Sequence, residues 1–178
     1  MPADADALAA WAAAAQLGIN FAHIRRKALA VLNPLGSIDR DIMDDADLAG
    51  PVIFCFLFGG FLLLSSKVYF GYIYGVATLG WLSMYAILNL MSETGIDGSR
   101  TASVLGYSLL PMVIASSLSM VFSSTGWIGM SLTALSVLWA TSSSSAIFVS
   151  VLSLTDQRLL VAYPIALLYG TFALLATF

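Results

Sequence analysis

Few side chains in this sequence are of types that do chemistry, and they are poorly spaced to do it together. The only histidine, His23, has no cysteine or second histidine beside it, so the spacing of a metal site is missing. The only cysteine, Cys55, lies inside an apolar run and has no partner for an intramolecular disulfide. Serines are numerous, with an unbroken run in "ATSSSSA", Ala140–Ala146, but no base accompanies them within that apolar stretch. Neither a phosphate-cradling Walker loop nor a glycine-rich dinucleotide signature occurs. The expectation is a protein with no catalytic residues, no cofactor and no resident metal, hence not an enzyme. Charge gathers instead in "DDADLAGPVIF", Asp44–Phe54, where Asp44, Asp45 and Asp47 precede a nearly unbroken apolar stretch.

The elements that position these residues follow from composition. Of 178 residues, 60% are hydrophobic and 10% charged, with a mean hydropathy of +0.92. Globular chains hold about 45–50% apolar and about 25% charged residues, so this is an integral membrane protein. Of the 17 charged residues, 11 lie in Met1–Ala49, leaving Lys67, Glu93, Asp97, Arg100, Asp156 and Arg158 for the rest. A net charge of −3 belongs to that N-terminal part, and no nucleic-acid partner is expected.

Five apolar stretches follow, at about 51–66, 71–91, 103–122, 127–154 and 159–178. A membrane span needs about 20 residues, or about 17 at the low end, and the first stretch is the shortest. Unpaired backbone amides are not tolerated in lipid, so each stretch must be helical. The predicted fold class is an all-α integral membrane protein. An N-terminal segment, 1–49, with an amphipathic cytoplasmic helix precedes a five-transmembrane-helix bundle, 50–178. Short links make successive spans antiparallel. With the N-terminus cytoplasmic, Arg25, Arg26, Lys27, Arg40, Arg100 and Arg158 lie inside and only Lys67 outside, which sets the orientation and places the C-terminus on the far side. Tyr72, Tyr74, Trp127, Tyr163 and Tyr169 are candidate interface anchors.

Within the N-terminal segment, Leu17, Phe21, Ile24, Ala28 and Val31 form one helical face, with His23, Arg26 and Lys27 read as lying opposite. Such a helix suits a leaflet surface or a partner groove. Gly50-Pro51 reads as a helix start, where a missing N–H does no harm and carboxylates are favoured by the helix dipole. The acids therefore have two readings, helix entry and protein docking. Pro111 in "GYSLLP" predicts a bend in the third span, with Pro164 in "VAYP" acting likewise in the fifth, and the bent helices can line a cavity or simply pack. Gly71 and Gly75 have close-packing spacing and predict assembly within the bundle. The Ala140–Ala146 hydroxyls can bond their own helix, a neighbour, or line a solute path. No ionisable side chain falls near the middle of a span, which argues against proton-coupled transport.

The strings "GINFAHI", "VLNPL", "DLAGP", "FGYIYG", "VLGYSLLPM" and "LLVAYPIALLYG" closely resemble the Yip (Ypt/Rab-interacting protein) family, in particular its Yip-one branch. The likeness covers roughly Leu17 through Phe178. Carried over by position, Asp47, Leu48, Ala49, Gly50 and Pro51 form the first family motif, and Gly106, Tyr107, Leu110 and Pro111 the second. The resemblance implies a five-span protein of endoplasmic reticulum and early Golgi membranes, acting in vesicle traffic between them and carried in COPII vesicles. It also implies association with prenylated Rab-type small GTPases and with a Yif-type membrane protein, in homo- or hetero-oligomers, and no catalytic residues. A lipid-handling protein, either a scramblase or a membrane-curvature factor, is the alternative.

Overall fold

The computed structural model describes residues 21–32, 48–64, 70–92, 95–122, 126–153 and 157–177. Asp44, Asp45 and Asp47, and the basic residues Arg40 and Lys67, lie outside the described residues. Among the described residues, seven helices run in chain order: α1 Phe21–Leu32, α2 Ala49–Leu64, α3 Phe70–Met91, α4 Gly98–Tyr107, α5 Leu110–Phe122, α6 Trp127–Leu152 and α7 Arg158–Thr177. Four stretches among the described residues are long and apolar enough to cross a membrane: Gly71–Met91 in α3, Gly98–Ser119 through α4 into α5, Trp127–Leu152 (α6) and Arg158–Thr177 (α7). The described part of α2 has 16 residues, about 24 Å at about 1.5 Å per residue. The protein is a multi-pass helical membrane bundle.

α6 packs most extensively on α7, α5 lies against α6, and α2 lies against both α4 and α5. α3 leans on α7 and α4 but has little contact with α2, although the two are consecutive. Large apolar side chains face outward all round, among them Leu90, Ile128 and Leu159. That arrangement is expected where the solvent is hydrocarbon. The inner face carries Phe58, Met84, Leu88, Ile147, Phe148 and Ile165.

The third apolar segment differs from its expectation. Its helix starts at Gly98 and is broken at Ser108-Leu109, so Leu110 and Pro111 open a second helix. The Leu109 N–H, which a continuous helix would point at Leu105, donates to the Gly106 carbonyl instead at 3.2 Å. In α7, by contrast, the helix runs unbroken through Pro164. A proline removes one backbone bond, whereas the α4–α5 break also releases the Leu105 carbonyl, and a neighbouring side chain takes it up.

The polar link before α4 is clasped by α3. Asn89 Nδ2 donates to the Ile96 carbonyl at 3.1 Å and Asn89 Oδ1 accepts from the Ile96 N–H at 3.1 Å. Trp81 Nε1 donates to the Gly98 carbonyl at 2.7 Å. Gly95 turns the chain at φ 71°, where a side chain would be strained. The start of α4 is thereby fixed against the middle of α3.

Two sequence expectations about packing are corrected. Gly71 and Gly75 face open space and pack against nothing in the described bundle; close approach is made at Gly50, Gly80 and Gly106 instead. Tyr169 is fully buried in the core and is no interface anchor, while Tyr72, Tyr163 and Trp127 do face outward.

Candidate functional site

The two motif regions meet. In the first turn of α2 the Val52 N–H donates to the Leu48 carbonyl at 3.2 Å, so Ala49, Gly50 and Pro51 begin the helix and Pro51 needs no donor of its own. A Cβ on Gly50 would overlap the Tyr107 ring and hydroxyl, and a Cβ on Gly106 would overlap Pro51, including its backbone Cα. Each motif thus supplies a glycine that admits the other's bulky residue. Phe54 adds an edge-to-face contact to Tyr107 at 5.5 Å between centroids. Leu48 is exposed, Leu110 half-buried and Pro111 buried behind the break.

This junction sits inside the bundle rather than at its rim. Gly106 is eight residues into α4, so the first turn of α2 lies about 12 Å along α4 from its start. The space beyond α2 is used by α1, which packs on α4, α5 and α6. Ser143 Oγ donates to the Val31 carbonyl at 2.8 Å and Trp139 Nε1 reaches the same oxygen at 3.3 Å. These bonds satisfy a carbonyl in the last turn of α1, where intrahelical donors run out. The amphipathic helix therefore docks in a groove of its own bundle.

Docking corrects the sequence reading of Lys27. It was expected on the solvated face, yet it is 1% exposed, with Nζ 5.8 Å from the centroid of the Tyr107 ring. Arg25 and Arg26 remain exposed. Helical spacing explains the error, because Lys27 is three residues after Ile24 and four before Val31 and so shares their face. The bundle does contain a buried cation, delivered by a helix outside the spans, where a span-by-span search misses it.

Tyr169, a side chain outside both motifs, completes the junction. Its hydroxyl donates to the Leu105 carbonyl at 2.9 Å, the group released by the helix break. With that single proton committed, its oxygen accepts from Ser144 Oγ at a long 3.4 Å. Two serines of the run are accordingly used inward, Ser143 holding α1 and Ser144 meeting Tyr169, while Ser142 is exposed. A buried tyrosine in an apolar span is the signal that points to such a bond.

On the other side of the junction lies an apolar groove of about 370 Å³ between α2 and α3, floored by α4 and α7. Pro51 and Gly106 form one wall, with Cys55, Phe56, Tyr74 and Trp81 among the other lining residues. The groove exists because α2 and α3 barely touch. Thr78 Oγ1, which lines it, is already bonded to the Tyr74 carbonyl at 2.8 Å, so the lining offers mainly hydrocarbon and ring edges. Among the described residues no cluster of His, Cys, Asp or Glu could hold a metal ion.

No solved structure matches the chain. The family model described as the Yip1 domain matches residues 29–176, from the last turn of α1 to the last turn of α7. That match includes Leu48–Pro51, the Gly106–Pro111 break and Tyr169, and it covers most of the sequence. The chain belongs to the Yip family, which is linked to membrane trafficking and to Rab-interacting proteins in general.

Proposed function

We propose that this protein is a non-enzymatic membrane factor of vesicle-mediated transport between the endoplasmic reticulum and the Golgi. On this reading it belongs to the Yip-one branch, has its N-terminus in the cytoplasm, and associates with prenylated Rab-type GTPases and a Yif-type relative. The observation that carries the reading is the apolar groove beside the joined motifs. A partner's isoprenoid chain lies in the groove, and the acidic residues Asp44, Asp45 and Asp47 meet its basic residues. Lipid tails are as apolar as the groove, so moving a chain from bilayer to groove gains little by hydrophobicity. The groove contributes shape contacts, and the protein–protein contacts contribute the rest.

The test is capture of one GTPase, prenylated or unprenylated, by the purified protein in lipid nanodiscs. Prenylation is expected to strengthen capture at least tenfold, and Ala77→Phe, which fills the groove, is expected to abolish that advantage. Equal capture of both forms removes the lipid-chain part of the proposal. The lipid-scrambling alternative needs a polar track for headgroups, and Ser143 and Ser144 are instead turned to Val31 and Tyr169. Transfer of fluorescent lipid in liposomes no faster than in protein-free vesicles is the expected result.

A further inference from the structure

We propose that α1 is a latch on the groove: docked, it holds the groove wall through Tyr107; released to the leaflet surface, it lets α2 move away from α4. The proposal rests on the groove reading above but names a control element that α1 itself supplies. α1 is absent from the groove lining, so any influence must pass through a shared residue. Tyr107 is that residue. It is covered on one side by Lys27 of α1 and on the other fills the space at Gly50 and meets Phe54. Its chain neighbour Gly106 and the Gly50 neighbour Pro51 are both groove wall.

The latch is held by contacts that can be exchanged. Val31 is fully buried, and its carbonyl depends on Ser143 and Trp139. Against docking stands the desolvation of the Lys27 ammonium, the only charged side chain buried among the described residues. Arg25 and Arg26, exposed beside it, already face outward. Undocked, the same helix rests at a headgroup surface with Arg25 and Arg26 hydrated and its apolar residues in the acyl boundary, while Lys27, on the apolar face, extends its alkyl stem back to the headgroups. The sequence supports both placements, which is what a two-state element needs.

The native chain carries its own reporter, since Cys55 is its single cysteine and lines the groove. Its rate of alkylation by a membrane-permeant maleimide reads groove access. A second form, Val31→Cys with Cys55→Ala, reads docking of α1, because the Val31 side chain is fully covered. Ser143→Ala with Trp139→Phe removes both bonds to the Val31 carbonyl and is expected to raise both alkylation rates at least threefold, without any GTPase present. Ser142→Ala, an exposed neighbour, is expected to change neither.

A rise at Val31→Cys with no change at Cys55 overturns the coupling, and no rise at either overturns the role of the two bonds. An equal rise with Ser142→Ala makes the effect general loosening and also overturns it. If the double variant does not fold, Ser143→Ala alone must give the same ordering of rates. GTPase capture plays no part in these measurements, so the latch and the prenyl-binding reading fail separately.

Discussion

At the residue scale, the value of a glycine depends on what its missing Cβ would meet. At Gly106 the obstacle is Pro51 with its backbone, which cannot rotate away; at Gly80 it is the tip of Leu168, which can; at Gly60 there is nothing. Overpacking costs roughly 1–3 kcal/mol where neighbours cannot yield. Gly106→Ala is therefore expected to lower stability by about that amount, Gly80→Ala by less, and Gly60→Ala to be neutral or stabilising. Thermal unfolding of the three variants in detergent gives the order. Tyr169→Phe isolates the hydrogen bond to Leu105. Side-chain bonds between membrane helices average about 0.6 and reach about 1.7 kcal/mol, and a loss near the upper end is expected because the Leu105 carbonyl has lost its backbone donor.

At the element scale, the break between α4 and α5 has several causes, and Pro111 is only one. Pro111→Ala restores an N–H but leaves Tyr107 seated on Gly50 and Leu105 bonded to Tyr169, so the break is expected to persist. Adding Tyr169→Phe is expected to let the two helices fuse, seen in a structure of the double variant as transfer of the Leu109 N–H bond from the Gly106 carbonyl to that of Leu105. The sequence exposes such a break only in outline. Apolar length is enough to locate the four long apolar stretches and the shorter helix α2, and a proline marks a weak point. What takes up the released carbonyl comes from another span, and local pattern is blind to it. Lys27, read from the sequence as lying on the opposite face, is a miss that the pattern itself could have prevented, since spacing from Ile24 and to Val31 places it on their face. The destination of that face was not legible, because a leaflet and an internal groove ask for the same amphipathic pattern. The α2–α3 groove was equally hidden, since it is the gap left by two consecutive helices that touch only sparsely, as at the Phe56–Tyr74 ring pair.

At the scale of the whole molecule, the acidic approach to α2 can be assigned by comparing energies. A carboxylate near a helix N-terminus contributes roughly 0.3–1 kcal/mol at an exposed site. The first turn of α2 is held by more than that: Gly50 against Tyr107, Pro51 against Gly106, and Phe54 on the Tyr107 ring. Fixed this way, α2 does not need Asp47 in order to begin where it does. Asp47→Lys is accordingly expected to leave the abundance and monodispersity of purified protein nearly unchanged while weakening capture of a prenylated GTPase at least fivefold. Asp47→Asn, which removes charge without reversing it, is expected to fall between. Size-exclusion profiles and capture measured on the same preparations separate the two roles. Abundance falling before capture does would return Asp47 to helix entry alone and leave the groove without its electrostatic partner site.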